Sequence, residues 1–234
     1  MRTAAILPVK SFARAKQRLG ASVEDPLRLA LARAMVADVL LALSRATAIE
    51  RTIVVTCERS VALAAAELGA LVVEDVAESG QPAAAELGVR RALVEGFERV
   101  LCVPGDCPAL DPAELDALLS PEEAAHSHSG MGRSVVIVPD RHGTGTNGLL
   151  LSPPDAIAPS FGPDSCERHR ALALDAGIEA RIARPASLLL DIDTGADLAE
   201  LRARLAGLDG GAPRTRAVLA ADGRPTAPSL TTSA

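Results

Sequence analysis

Residues 134–152, SVVIVPDRHGTGTNGLLLS, decide what kind of sheet this chain can build. Two apolar runs, Ser134–Val138 and Gly148–Ser152, flank Arg141-His142-Gly143-Thr144-Gly145-Thr146-Asn147. That interval is too short for the crossover helix a parallel pair requires, so the two runs are expected to pair antiparallel. Elsewhere short β-branched or Leu-rich runs, at Ala4–Val9, Thr52–Thr56, Leu71–Glu74, Arg99–Val103, Ile178–Ile182 and Leu188–Ile192, alternate with longer Ala/Leu stretches. Several are apolar throughout, as strands covered on both faces are. Such alternation predicts a parallel sheet sandwiched by helices. Together the patterns predict a three-layer α/β/α domain with a mixed, mostly parallel sheet.

The helices have readable ends. Asp25-Pro26 offers an N-cap and a first-turn proline, and Leu27, Leu31, Met35, Val39 and Leu43 follow at near-helical spacing. Asp111-Pro112 repeats the signal, with Glu114 placed for a capping box. A helix from Val61 to Leu68 is expected to stop at Gly69, and others to run from Pro82 to about Glu95, from Asp164 or Ser165, and from Ala196 to Leu208.

Composition limits the partners. The 234 residues suit one domain of ordinary size, and aromatics are only 1%, so the core must be built from Ala, Val, Leu and Ile. A net charge of −6 argues against a nucleic-acid surface, which would need a basic stripe. Cys57, Cys102, Cys107 and Cys166 form no C-x-x-C pair and read as reduced thiols of a cytoplasmic protein. Met1–Val9 is apolar but short and reads as a first strand rather than a signal peptide; no run approaches the length of a membrane span. From Asp209 the chain turns Gly-, Pro-, Ser- and Thr-rich, which predicts a domain over 1–208 and a disordered tail over 209–234.

Chemistry collects where strands are expected to end, the usual ligand edge of open α/β sheets. Lys10, Arg14, Lys16 and Arg18 crowd the exit of the first strand, suited to holding a polyphosphate, although a solvated basic loop would look the same. Asp106 follows the fourth strand directly, between Gly105 and Pro108, as a magnesium-binding carboxylate would. Asp191 and Asp193 stand two apart at another predicted strand end and could face one cation, which would relieve their repulsion. In that reading Lys16, Asp106 and Asp193 are the catalytic set. Gly143–Asn147 and the helix start after Phe161-Gly162-Pro163-Asp164-Ser165 offer amides and hydroxyls to an anion, with Arg141 and Arg168 beside them. His142 and His169 could exchange protons but more often partner anions; His126 and His128 are given no role. Cys107 lacks a basic partner and reads as core. No G-x-G-x-x-G follows the first strand, which disfavours a dinucleotide-binding dehydrogenase.

Taken in order, LPVKSFARAKQRL, VPGDCPAL, PDRHGTGTN, FGPDSCERH and DIDTGADL resemble the guanylyltransferases of coenzyme F420 biosynthesis, over about Ala4 to Leu205. The resemblance implies a nucleotide-diphosphosugar-transferase-like (GT-A) fold. It implies that a substrate phosphate attacks the α-phosphate of GTP and releases diphosphate with Mg2+. Asp106 and Asp193 match the metal ligands, Thr146, Gly162 and Ser165 the phosphoenolpyruvate site, and Lys10, Lys16 and Arg18 the nucleotide loop. Relatives commonly carry Leu-Asn before the third helix; here Ser79-Gly80-Gln81-Pro82-Ala83 stands there, and Gln81 is the candidate substitute. Phosphoenolpyruvate is the expected acceptor because the Ala/Arg-rich composition looks bacterial, with 2-phospho-L-lactate and 3-phosphoglycerate as alternatives. Other nucleotidyltransferases and a non-catalytic nucleotide sensor of the same fold are the rival readings. A homodimer, and hand-over of product to the enzyme that consumes it, are compatible with all of this.

Overall fold

The antiparallel pair expected over residues 134–152 is present, and it sets the topology. In a computed structural model that describes residues 1–14, 16–120, 132–208 and 210–223, seven strands form one sheet in the order β3-β2-β1-β4-β6-β5-β7. They are β1 (Thr3–Val9), β2 (Arg51–Thr56), β3 (Leu71–Glu74), β4 (Arg99–Cys102), β5 (Ser134–Pro139), β6 (Thr146–Ser152) and β7 (Arg181–Ile182). Only β6 runs against its neighbours, pairing antiparallel with both β4 and β5; the other pairings are parallel. His126, His128 and residues 224–234 lie outside the described residues.

Helices cover both faces. On one side α1 (Asp25–Arg45), α2 (Arg59–Glu67) and α4 (Pro112–Leu118) bury Val39, Leu43, Val61 and Leu115 against Leu7, Val54 and Leu101. On the other, α3 (Gln81–Val94) and α5 (Ser165–Asp175) pack Ala85, Val89 and Ala173 against Ile6, Ile53 and Ile137. With so few aromatics the layers close by approaching tightly. A Cβ on Gly88 of α3 would lie 2.4 Å from Ile6 Cγ2, so only glycine lets that helix sit on β1.

Several expectations need correction. Residues 188–192 do not form a strand; a 3-10 turn at Ala186–Leu188 leads into an irregular extended segment, and the strand expected at Ile178 shortens to Arg181–Ile182. Glu114 closes no capping box on Asp111, because its carboxylate instead accepts from Ser187 N–H at 2.7 Å and pins that 3-10 turn. Glu24, not Asp25, is the N-cap of α1, while Asp25 pairs with Arg28 at 3.0 Å. A capping box does form at the start of α6 (Gly195–Ala206), between Thr194 and Asp197.

The stretch read as a disordered tail contains a further helix, α7 (Pro213–Asp222), docked on α1. Gly210 and Gly211, at φ +86° and +74°, turn the chain, and Asp38 of α1, only 3% exposed, accepts from the N–H groups of Arg214 at 3.0 Å and Thr215 at 2.8 Å. Leu219 joins Leu31, Met35, Leu198 and Leu201 in a third cluster. Helix α1 is therefore buried on two sides, by the sheet and by α6 and α7. No described helix is long and apolar enough to cross a membrane.

Candidate active site

The parallel strands β1 to β4 all end at one edge of the sheet, and antiparallel β6 begins there. The β4–β6 register pairs Cys102, the last residue of β4, with Leu149, so the loop after β4 and the start of β6 share this edge. A Cβ on Gly105 would lie 2.9 Å from Val36 Cγ2. The loop after β4 thus lies flat on α1, and Asp106 is held over the edge.

Lys16 reaches the same place from the loop after β1. Its backbone is left-handed at φ 55°, and its ammonium donates to Asp106 Oδ2 and, at 2.7 Å, to Asp193 Oδ1. Its side chain is only 9% exposed. Burial opposes the charge, but the two carboxylates outweigh it and raise the Lys16 pKa above its ordinary value. Burial would lift Asp193, yet Lys16, with Arg18 and Lys10 more distantly, holds it below the usual carboxylate range. Asp191 moves the other way, pushed up by burial and by the Asp106 charge, although Asn147 Nδ2 donates to it at 3.1 Å. A single main-chain bond, Ile192 N–H to Asp106 O at 3.1 Å, stitches the segment carrying Asp191 and Asp193 to the segment carrying Asp106. Asp106 Oδ1 is buried and accepts from nothing among the described residues. Cys107 is fully buried, and burial plus the Asp106 charge drive its thiol far up in pKa, so it is no nucleophile.

A cleft of about 260 Å³ opens beside these groups, between α1 and the start of α3. Lys10, Lys16 and Asp106 line it on the β1 and β4 side, and Asp75, Glu78 and Gln81 line it past the end of β3, with Met35, Val36 and Ala84 as apolar wall. Two strands separate β3 from β4, which puts roughly 14 Å between the ends of those two strands. Two carboxylates hold the intervening loop: Glu78 accepts from Ser11 N–H at 2.8 Å and Glu58 from Phe12 N–H at 2.7 Å. With those amides engaged, an anion at this loop falls to the side chains of Lys10, Lys16 and Arg18. The side chain of Arg14 lies outside the described residues.

A second group of loops adjoins β6. Pairing with β5 skips Asn147, and this bulge sends its Nδ2 to Leu188 O at 2.8 Å and to Asp191. Neighbouring Thr146, buried, faces α5, where its Oγ1 meets His169 Nδ1 at 3.1 Å. His169 Nε2 accepts from Ser160 N–H at 2.8 Å, so the neutral ring carries its proton on Nδ1 and donates it to Thr146. The Thr146 hydroxyl hydrogen is then free to point at a ligand. Gly162, at φ +122°, turns the chain into α5, whose Cys166 N–H donates to Thr144 O at 3.0 Å. Ser165 is buried at the helix start. Arg168 is spent inside this turn, donating to Ser160 O, Ser160 Oγ and Pro163 O between 2.8 and 3.1 Å. Arg141 pairs with Asp197 of the capping box. Both guanidiniums thus shape the loops rather than standing open to a substrate.

The sequence reading passed over Asp75, Glu58, Glu78 and Asp197, and gave the Asn147 side chain no role of its own. The first three stand just past the ends of β3 and β2, the same signal that singled out Asp106. Asn147 and Asp197 carried no such mark.

The chain matches the family model described as guanylyl transferase CofC-like over residues 3–210. It is 49% identical to phosphoenolpyruvate guanylyltransferase of Conexibacter woesei over 94% of this chain and 96% of that one. It is 40% identical to the enzyme of the same name from Rubrobacter xylanophilus, over 85% and 93%. It is also 32% identical to 2-phospho-L-lactate guanylyltransferase of Methanothermobacter thermautotrophicus, over 86% and 84%. Among solved structures, one assigned as a nucleotide-diphospho-sugar transferase from Desulfovibrio desulfuricans superposes with a TM-score of 0.71 at 18% identity, covering 95% and 96% of the two chains. A nucleotidyl transferase from Methanothermobacter gives 0.60 at 20% identity, over 88% and 98%. At those identities the likeness is one of fold, and it is the mixed-sheet nucleotidyltransferase fold expected.

Proposed function

The chain belongs to the family of CofC-like guanylyl transferases, and from that premise we propose that it transfers GMP from GTP to phosphoenolpyruvate. The products would be enolpyruvoyl-2-diphospho-5′-guanosine and diphosphate, a step of coenzyme F420 biosynthesis. The observation that carries the reading is the Lys16–Asp106–Asp193 cluster, with Asp191 beside it, at the edge where the nucleotide cleft meets the start of β6.

Three carboxylates there face one bonded ammonium, and Asp106 Oδ1 is buried without a donor. A divalent cation fits that imbalance. Magnesium is commonly held by one or two carboxylates with substrate phosphate oxygens. Asp106 and Asp193, with Asp191 adjacent, would hold Mg2+, which when bound offsets phosphate charge and the charge developing at the α-phosphate. Lys10, Arg14, Lys16 and Arg18 take the GTP phosphates. Thr146, Gly162 and Ser165 take the acceptor, the Thr146 hydroxyl donating to it because His169 occupies the oxygen's acceptor side. The attacking phosphate oxygen is already an anion, so the step needs no general base. Positioning two polyanions against their mutual repulsion is the main task of the site.

The test is diphosphate release from GTP and Mg2+ with phosphoenolpyruvate, 2-phospho-L-lactate and 3-phosphoglycerate supplied separately. Fastest release with phosphoenolpyruvate is expected; no release with any acid overturns the reading. Preference for 2-phospho-L-lactate would instead align the chain with its Methanothermobacter relative.

A further inference from the structure

We propose that Asp75 reads the base of the nucleotide, and that this carboxylate makes the cleft select guanine. The proposal rests on GTP being the donor in this cleft and names the residue that recognises it.

Asp75 follows β3 and lines the cleft, yet it is only 8% exposed. Its backbone is fixed by its own N–H, which donates to Thr56 O at 3.3 Å. Its Oδ1 accepts from Glu78 N–H at 3.0 Å. Nothing among the described residues donates to Oδ2. Asp75 Oδ2 opens to the cleft, so a ligand seated there can supply its donor in place of water. Among the described residues no ion pair to Asp75 is seen, and Lys16 is held by Asp106 and Asp193.

A ligand that matches both ends of the cleft brings N–H donors to Asp75 at the β3 end while its anionic end lies at Lys16. The roughly 14 Å across two intervening strands suits a nucleoside triphosphate lying from its phosphates to the outer edge of its base. Met35, Val36 and Ala84 give the base an apolar wall. Of the four common bases only guanine presents two adjacent donors, N1–H and N2–H, that a carboxylate accepts together. Adenine and cytosine set a ring-nitrogen acceptor beside their amino group, and uracil offers one N–H between carbonyls. Each would face Asp75 with a lone pair. The same charge keeps the phosphorylated acid out of this end, leaving it to the loops around Thr146.

The test is nucleotide binding without any acceptor, by displacement of a fluorescent GTP analogue from wild type and Asp75→Asn. Asparagine keeps an oxygen for Glu78 N–H but pairs its amide with xanthine, which has N1–H beside a C2 carbonyl. Wild type should favour GTP over ITP and XTP. The variant should lose GTP affinity by roughly 10- to 150-fold, the worth of hydrogen bonds to a charged group, and should bind XTP better than GTP. Equal loss of GTP and XTP, as a collapsed turn would give, overturns the proposal. So does GTP affinity within about twofold of wild type. Because no acceptor is present, a failed transferase assay leaves this result readable, and transfer from GTP by a protein that fails here leaves the reaction standing.

Discussion

Replacing Lys16 with Met removes the ammonium from between Asp106 and Asp193 while keeping the length and apolar stem of the side chain. The Lys16 side chain is 9% exposed, Asp106 23% and Asp193 47%. Breaking a fully buried pair by removing one partner costs about 3–5 kcal/mol. Asp193 is half in water, so its share is no more than about 1 kcal/mol. The remainder comes from Asp106, whose Oδ1 already lacks a donor. A loss of about 2–3 kcal/mol follows, or roughly 5–10 °C in Tm for a chain of this size. Calorimetric melting in EDTA measures it. Excess Mg2+ should then restore more of Tm in Lys16→Met than it adds to wild type, because in the variant the metal meets carboxylates with no competing cation. Diphosphate release should stay lost in both buffers, since the phosphates lose their buried cation. If the variant melts with wild type in EDTA, Lys16 does not hold the cluster together. If Mg2+ raises both proteins equally, the metal binds elsewhere.

Asp106→Asn should abolish diphosphate release while the chain still folds, with Tm lowered by no more than in Lys16→Met because asparagine keeps an oxygen for the Lys16 ammonium, and Ser165→Ala should chiefly raise KM for the acceptor; steady-state kinetics separate the two, and near-normal turnover of the asparagine variant would refute the metal assignment. Burial and the Arg168 charge lower the His169 pKa from 6.5 to about 4. Across that window the unfolded chain binds more protons, so stability should fall by up to about 3 kcal/mol as pH drops from 6.5 to 4. Chemical denaturation against pH should show that slope in wild type and a flatter one in His169→Gln. Asp38→Ala should free α7 from α1 at a cost of about 2 kcal/mol, two charge-assisted capping bonds being lost; limited proteolysis should then cut within residues 210–223, and uncut α7 would show that Leu219 alone suffices.

The architecture was legible because it rests on local patterns. Apolar runs, caps and the interval too short for a crossover placed β1 to β6 within a residue or two, and Gly69 ends its helix at φ +73° as read. The errors arise where a distant partner overrides a local signal. The Gly/Pro-rich stretch after Leu208 looks disordered until Asp38, far upstream on α1, is seen to cap it. Residues 188–192 carry a strand's composition, but Leu188 O accepts from the Asn147 side chain and Ile192 N–H donates to Asp106 O in the loop after β4, so neither enters a ladder.

The site divides along the same line. Lys16, Asp106 and Asp193 could be picked out singly, since each is a charge stranded at the end of an apolar run, and the fold then joins them through one ammonium. What sequence alone could not apportion was the arginines. Arg141 and Arg168 resemble substrate ligands by position, yet the first pairs with Asp197 and the second holds the turn at Ser160 and Pro163. For the loop cations other than Lys16, whose acceptors are the proposed metal-site carboxylates themselves, charge marks an anion site only when no internal acceptor claims it. That condition is three-dimensional, and it is met by Lys10 and Arg18, for which no internal ion pair is seen among the described residues.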